Sequence, residues 1–276
     1  MTRFRPDLYR GSAGYYDRYR LPYPDTMLAD LIEQAGVGGR GCLLDLACGT
    51  GQLAFPLSRW FGEVWAVDAE PDMIATVRAK AAAAAAVTGA AAAKVRPVVS
   101  RAETLHAEPG YFELAVIGNA FHRLDRDLVA GRVLGWLQPG GHLALCGSSV
   151  PWEGDGDWHR ALDATLARWK KTLGAEDRIP AGWELPRQLR PDAQVLTDTG
   201  FIFAERRRFT LPHRWTVQEL AGFIRSTSFL PASVLGDQAD AFDADLAASL
   251  RPYTSDGALA QAVNFDYELA RKPAAA

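Results

Sequence analysis

Apolar positions Met27, Leu28, Leu31, Ile32 and Ala35 recur at helical spacing and Gly36 follows as a stop signal, so the spacing predicts a helix leading into a first strand. From there short apolar runs alternate with helical segments: GCLLDLA (41–47), EVWAVD (63–68), VRPVVS (95–100), ELAVIG (113–118) and HLALCG (142–147). Strands separated by helices imply right-handed crossovers and a parallel sheet covered on both faces. Pro71 suits a first helical turn after Asp68, and PDMIATVRAKAAAAAA continues in residues of high helix propensity. QPGGHL supplies a sharp turn before the fifth strand.

After Gly147 the rhythm changes. PWEGDGDWHRALDATLARWKKTLG predicts a loop feeding an amphipathic helix with Trp158, Leu162, Leu166 and Trp169 on one face. A helix near 187–199 and a strand near 201–210 restore the α/β pattern, and two helical segments follow with Pro231 between them. The alternating run AVNFDYELARK predicts an edge or antiparallel strand. No repeat or linker interrupts the chain, so one doubly wound domain over residues 1–276 is expected, elaborated at its start and after the fifth strand.

Composition narrows the function classes. With 48% hydrophobic and 23% charged residues the chain is an ordinary globular sequence. A formal net charge of -3 gives no general attraction to nucleic acid or to an anionic membrane, and Arg206-Arg207-Arg208 and Lys170-Lys171 read as solvated surface. The start is polar and aromatic and no stretch approaches a membrane span, so a cytoplasmic protein is expected. Cys42, Cys48 and Cys146 read as reduced thiols, and His106, His142, His159 and His213 show no metal-ligand spacing, so no metal is expected. The tract from Ala81 to Ala93 is low complexity without a special role.

The chemistry concentrates in LLDLACGTGQLA, Leu43 to Ala54. Gly49 and Gly51 permit close backbone approach at the first strand-to-helix turn, where a doubly wound sheet places its ligand, and the following helix presents free N–H groups. Asp68 ends the second strand, where a carboxylate accepts hydrogen bonds from ribose hydroxyls. The hexad from Gly49 also fits the dinucleotide pattern G-x-G-x-x-G/A, which leaves an NAD-dependent oxidoreductase as an alternative. Asp45 argues against it, because a carboxylate beside a pyrophosphate is repelled by roughly a few kcal/mol at an effective dielectric near 20. A ligand with an ammonium and a sulfonium suits it better.

LLDLACGTGQLA resembles the first motif of class I S-adenosylmethionine-dependent methyltransferases, D-x-G-x-G-x-G, with Ala47 in place of the first glycine. VWAVDAEPDM resembles the second motif, SRAETL the adenine-side motif, ELAVIGNAFHRLD the fourth-strand motif and LQPGGHLAL the turn into strand five. The flanks YYDRYRLPYP and WTVQELAGFIRSTS are similar to small-molecule enzymes of the type 11 and trans-aconitate methyltransferase groups. The resemblance implies a Rossmann-like α/β fold: a doubly wound seven-stranded sheet, mostly parallel with an antiparallel last strand, plus a helical substrate cap. It implies a lid over 1–25, a cofactor core over 41–147, and cap elements over 151–185 and 212–250.

S-adenosyl-L-methionine is the cofactor so implied. Its expected contacts are Tyr16 and Tyr19 from the lid, Asp45, Ala47, Gly49 and Gly51 from the first loop, and Asp68, Ala69 and Met73 from the second motif. Arg101, Ala102 and Glu103 stand on the adenine side, Arg101 where an acidic residue is common, and Asn119 lines the site through its backbone carbonyl. His122 is the candidate general base, since the fourth strand's end faces the sulfonium and a near-neutral imidazole can take a proton from an acceptor. The expected activity is methyl transfer to a hydroxyl, amine or carbon of a small bacterial secondary metabolite, by a monomer or homodimer with no nucleic-acid or membrane partner. The alternative within the fold is a cofactor-binding enzyme that catalyses a cyclisation or rearrangement without methylation.

Overall fold

A computed structural model describes residues 7–88 and 94–274, so the first six residues of the expected lid and residues 89–93 of the alanine tract lie outside the described residues. The chain runs α1 (Ala13–Tyr19), α2 (Asp25–Ala35), β1 (Cys42–Leu46), α3 (Ala54–Leu57), β2 (Glu63–Asp68), α4 (Pro71–Thr88), β3 (Val95–Val99) and β4 (Phe112–Gly118). It continues α5 (Arg126–Trp136), β5 (Leu137–Ser148), α6 (Asp157–Thr172), α7 (Leu185–Leu189), α8 (Asp192–Thr199) and β6 (Ile202–Trp215). The last elements are α9 (Val217–Arg225), α10 (Ala232–Leu235), α11 (Ala239–Leu250) and β7 (Leu259–Arg271).

The strands form a seven-stranded sheet in the order β3-β2-β1-β4-β5-β7-β6. All neighbours from β3 to β5 pair in parallel, and the winding reverses between β1 and β4. β7 is antiparallel: Ser149 N–H bonds to Asn264 O and Lys272 N–H to Gly141 O, each at 2.8 Å. All five residues of β1 are buried, as a central parallel strand covered on both faces requires.

Three expectations change in detail. β7 lies inside the sheet, between β5 and β6, and β6 takes the edge. QPGG is a bulge within β5 rather than a turn before it: Leu137 already pairs with Phe112, and pairing resumes at His142 opposite Leu114. A Cβ on Gly141 would lie 2.9 Å from Gln138 O and 3.0 Å from Glu113 O, so only glycine fits the bulge. The helix expected near 187–199 is two helices, because Pro191 has no N–H to continue one and Arg190 is extended (φ -140°).

The chain divides into two compact units, one of residues 22–147, 184–209 and 265–276, the other of residues 1–21, 148–183 and 210–264. In the first, Leu44, Leu46, Ile117 and Leu145 from the strands pack with Val129, Val133 and Val195 from α5 and α8. Asp192, nearly fully buried at the start of α8, is held by Arg126 at 2.8 Å and Arg187 at 2.6 Å. Arg206 pairs with Asp266 at 3.2 Å and Glu268 at 3.4 Å, and Arg207 with Asp30 at 3.0 Å, so these two arginines form ion pairs and are not simply solvated surface.

The second unit is mainly helical. Trp158, Leu162, Leu166 and Trp169 form the stripe read from the sequence and pack with Trp215, Phe223, Phe242 and Leu246. Trp169 Nε1 donates to Asp245 at 2.7 Å, and α9 opens with a capping box of Thr216 and Glu219. α1 lies against α9: a Cβ on Gly222 would meet the Tyr19 ring at 2.5 Å, and Arg20 Nε donates to Ser226 Oγ at 2.8 Å. Trp152 meets Phe223 and Phe229 edge-on at 5.9 and 5.3 Å. Among the described residues no helix is long and apolar enough to cross a membrane.

Candidate functional site

β1 ends at Leu46, and the chain turns with positive φ at Ala47 (58°), Gly49 (56°) and Gly51 (88°). At Gly51 a Cβ would lie 2.7 Å from the Phe55 ring, so the turn needs a bare Cα there. At Ala47 the left-handed conformation is kept although the residue is alanine, at a cost of about 1 kcal/mol. α3 is a single turn with Pro56 inside it, not the full helix expected after the loop. Its Ala54 N–H is already taken: Asp45 Oδ2 accepts it at 2.8 Å.

Asp45 is only 1% exposed, and its Oδ1 is buried with no hydrogen-bond partner. Burial pushes its pKa up to about 8; the Ala54 N–H opposes the rise and the charge of Asp68 adds to it. The expected standing negative charge beside the loop is therefore mostly protonated at neutral pH. Asp68, at the end of β2, accepts the Gly49 N–H at 2.8 Å and the Glu70 N–H at 2.9 Å. Burial raises its pKa, and the backbone N–H groups of Glu70, Gly49 and Ala69 hold it down. Cys48 N–H to Val67 O and Ser100 N–H to Asp68 O, both 2.9 Å, join the carboxyl ends of β1, β2 and β3 into one rim. Lys80 of α4 clasps the loop from the side, its Nζ donating to Thr50 O at 3.0 Å.

On the expected adenine side Ala69 is exposed, while Met73 and Ala102 are buried. Arg101 is half exposed and pairs with Glu103 at 3.5 Å, so the cation standing in the usual acidic position is met by the acid two residues on. Glu103 also accepts the Asp125 N–H at 3.4 Å. At the end of β4, Asn119 is left-handed (φ 49°), and its N–H bonds to Cys146 O at 2.9 Å. Tyr16 and Tyr19 belong to the helical unit, where α1 packs on α9.

His122 does not suit the role of general base. Burial, then the charges of Arg123, Arg187 and Arg126, lower its pKa to about 3, and Arg123 Nε donates to its Nε2 at 3.3 Å. An imidazole that holds its proton so weakly stays neutral at physiological pH and has little driving force to take one. Three participants escaped the sequence reading: Tyr23, whose hydroxyl accepts from Asn119 Nδ2 at 3.2 Å, the buried Glu70, and Lys80. Only Tyr23 had a local signal, its position between Pro22 and Pro24.

This rim lies inside residues 43–141, which match the family model described as a methyltransferase domain. An uncharacterized methyltransferase of Mycobacterium tuberculosis (strain H37Rv) is 29% identical over 160 residues, covering 57% of this chain and 73% of that protein. Residues 43–141 thus carry a methyltransferase domain, and the chain is similar to class I S-adenosylmethionine-dependent methyltransferases. Solved methyltransferases share the fold. One designated a type II methyltransferase, from Anaeromyxobacter dehalogenans, superposes with a TM-score of 0.59 at 21% identity, covering 92% of this chain and 98% of that one. A phosphoethanolamine N-methyltransferase of Haemonchus contortus, solved with phosphomonomethylethanolamine and S-adenosylhomocysteine, gives 0.53 at 18% identity over 95% of this chain and 57% of its own. As a methyltransferase, the protein catalyses S-adenosylmethionine-dependent methylation, and the family implies S-adenosylmethionine as the methyl donor.

Proposed function

We propose that the rim around Asp45, Gly49 and Asp68 holds S-adenosylmethionine and that the enzyme methylates a hydroxyl, amine or carbon of a small molecule, a bacterial secondary metabolite. The observation that carries the cofactor assignment is Asp45 Oδ1, a buried oxygen without a partner near the end of β1, just before a loop with three left-handed residues. A buried acceptor left unpaired is costly, and a ligand ammonium supplies the missing donor. Asp68, already bonded to two backbone N–H groups, keeps lone pairs for ribose hydroxyls. Ala47, Gly51, Ala69, Met73, Ala102 and Asn119 complete the cradle, and the Arg101–Glu103 pair borders it.

The small-molecule acceptor is supported by the helical unit, all of which lies outside residues 43–141, and by its half-buried Trp152 among Phe223 and Phe229. The Haemonchus enzyme of the same fold was solved with a small acceptor of this size class. Methyl transfer is an in-line displacement, so alignment and exclusion of water are the main tasks, and a neutral amine acceptor needs no base. Calorimetric titration with S-adenosylhomocysteine tests the cofactor; micromolar binding is expected, and none would sink the assignment. Incubating the enzyme and S-adenosylmethionine with candidate acceptors, read by mass spectrometry, tests the acceptor. A converted product lacking the added methyl would mean that the cofactor serves a rearrangement instead.

A further inference from the structure

Tyr23 is placed by its neighbours in sequence. Pro22 precedes it and Pro24, the residue before α2, follows it, so the backbone on both sides is restrained and Tyr23 itself is biased to an extended conformation. The side chain is buried and meets Phe265 edge-on at 6.0 Å. Packing alone would ask only for a phenyl ring. The hydroxyl is nevertheless accommodated with specific care: a Cβ on Gly118 would lie 2.9 Å from Tyr23 Oη and 3.0 Å from Leu53 Cδ1. The missing side chain at Gly118 is the space into which the hydroxyl fits, between the end of β4 and the residue that closes the glycine loop.

The same hydroxyl accepts from Asn119 Nδ2 at 3.2 Å. Asn119 is one of three left-handed non-glycine residues among those described, the others being Ala47 in the glycine loop and Asp256. Its backbone N–H is fixed on Cys146 O and its side chain on Tyr23, so two independent bonds set a conformation that most side chains avoid. Non-local restraint of a strained residue at the carboxyl end of a strand beside the cofactor loop marks a place where backbone position matters.

We propose that Tyr23 is a positioning residue for methyl transfer: through its hydrogen bond to Asn119 it fixes the backbone at the end of β4 against the sulfonium methyl of the bound donor. The inference rests on the cofactor assignment above. It assigns Tyr23 no proton transfer and no contact with the acceptor. The hydroxyl acts through Asn119, which it holds in the left-handed conformation.

S-adenosylmethionine and S-adenosylhomocysteine differ by the methyl and its positive charge, so their affinities separate positioning at the methyl from general integrity of the site. Tyr23→Phe keeps the ring and its contact with Phe265. Calorimetry should show S-adenosylmethionine binding weakened about fivefold, the size of one lost hydrogen bond. S-adenosylhomocysteine binding should change by less than about twofold. Asn119→Gly permits the same φ without the side-chain bond; it should reproduce the selective loss, and the double variant should be no worse than Asn119→Gly alone. Equal weakening of both ligands, or no change in either, would overturn the proposal; if Tyr23→Phe does not fold, Asn119→Gly decides by the same criterion. Failure of the unmodified enzyme to bind either ligand would instead remove the cofactor assignment on which the inference stands.

Discussion

The Asp68 carboxylate accepts the Gly49 backbone N–H at 2.8 Å, which ties the end of the second strand to the middle of the glycine loop. One side chain therefore both shapes the loop and stays available to a ligand. Asp68→Ala should weaken S-adenosylhomocysteine binding at least about a hundredfold, because it removes a ligand acceptor and leaves the Gly49 and Glu70 N–H groups without theirs. Titration calorimetry reads this, and normal affinity would show that the loop is shaped without Asp68.

Ala47 holds φ 58° where the family motif has glycine. Ala47→Gly should stabilise the fold by about 0.5 kcal/mol, the relief of left-handed strain less the extra freedom of the unfolded chain. A thermal melt should rise by about 1–2 °C. A fall would mean that the methyl group of Ala47 contributes packing greater than the strain.

Asp45 carries a raised pKa of about 8 against an ordinary 3.8. Its contribution to stability is therefore fully present below the unfolded value and is lost as pH rises through the folded one. Between these limits the folded state binds one more proton, so this residue makes stability fall by about 1.4 kcal/mol per pH unit. Asp45→Asn cannot ionise, and its urea midpoint should lose that slope across the same window. A parallel consequence is proton release on S-adenosylmethionine binding near neutral pH, visible as a binding enthalpy that varies with the ionisation enthalpy of the buffer.

His122 should not titrate across the physiological range, because burial and three arginines hold its pKa near 3. Its imidazole resonances, followed by NMR from pH 5 to 9, should stay at their neutral positions. His122→Asn should leave the pH profile of methyl transfer unchanged. A limb in that profile that disappears with His122 would restore it as a base.

Asp192→Ala removes the shared partner of Arg126 and Arg187 from a buried position. Breaking such a pair costs about 3–5 kcal/mol, and the variant should melt well below the parent. Cofactor binding per folded molecule should be unaffected.

The parallel strands β1, β2, β4 and β5 were legible in the sequence because strands covered on both faces read as short, largely apolar runs. The interior place of β7 was not, because Asn264, Asp266 and Glu268 interrupt its apolar positions in the manner of an exposed edge. Arg206 of β6 neutralises two of them across the strands, a pairing no local window contains. In the candidate site Asp45, Gly49, Gly51 and Asp68 were legible because their spacing within one strand-to-turn unit carries the geometry. The capping of Ala54 by Asp45 was not, since it depends on where the short helix starts. Tyr23 and Lys80 reach their partners across 96 and 30 residues of chain, and His122 meets Arg187 from a helix 65 positions downstream (187 minus 122), so only the folded backbone brings these groups together.

The place of β7 between β5 and β6 also sets an order of assembly. As the chain leaves the ribosome, β6 emerges before the strand that joins it to the sheet, and the bond from Ser149 to Asn264 closes only after more than a hundred intervening residues have been made. Until then β5 has an open flank and β6 no partner, a state exposed to wrong pairing. Of these seven strands the one made last is thus the one that seals the sheet.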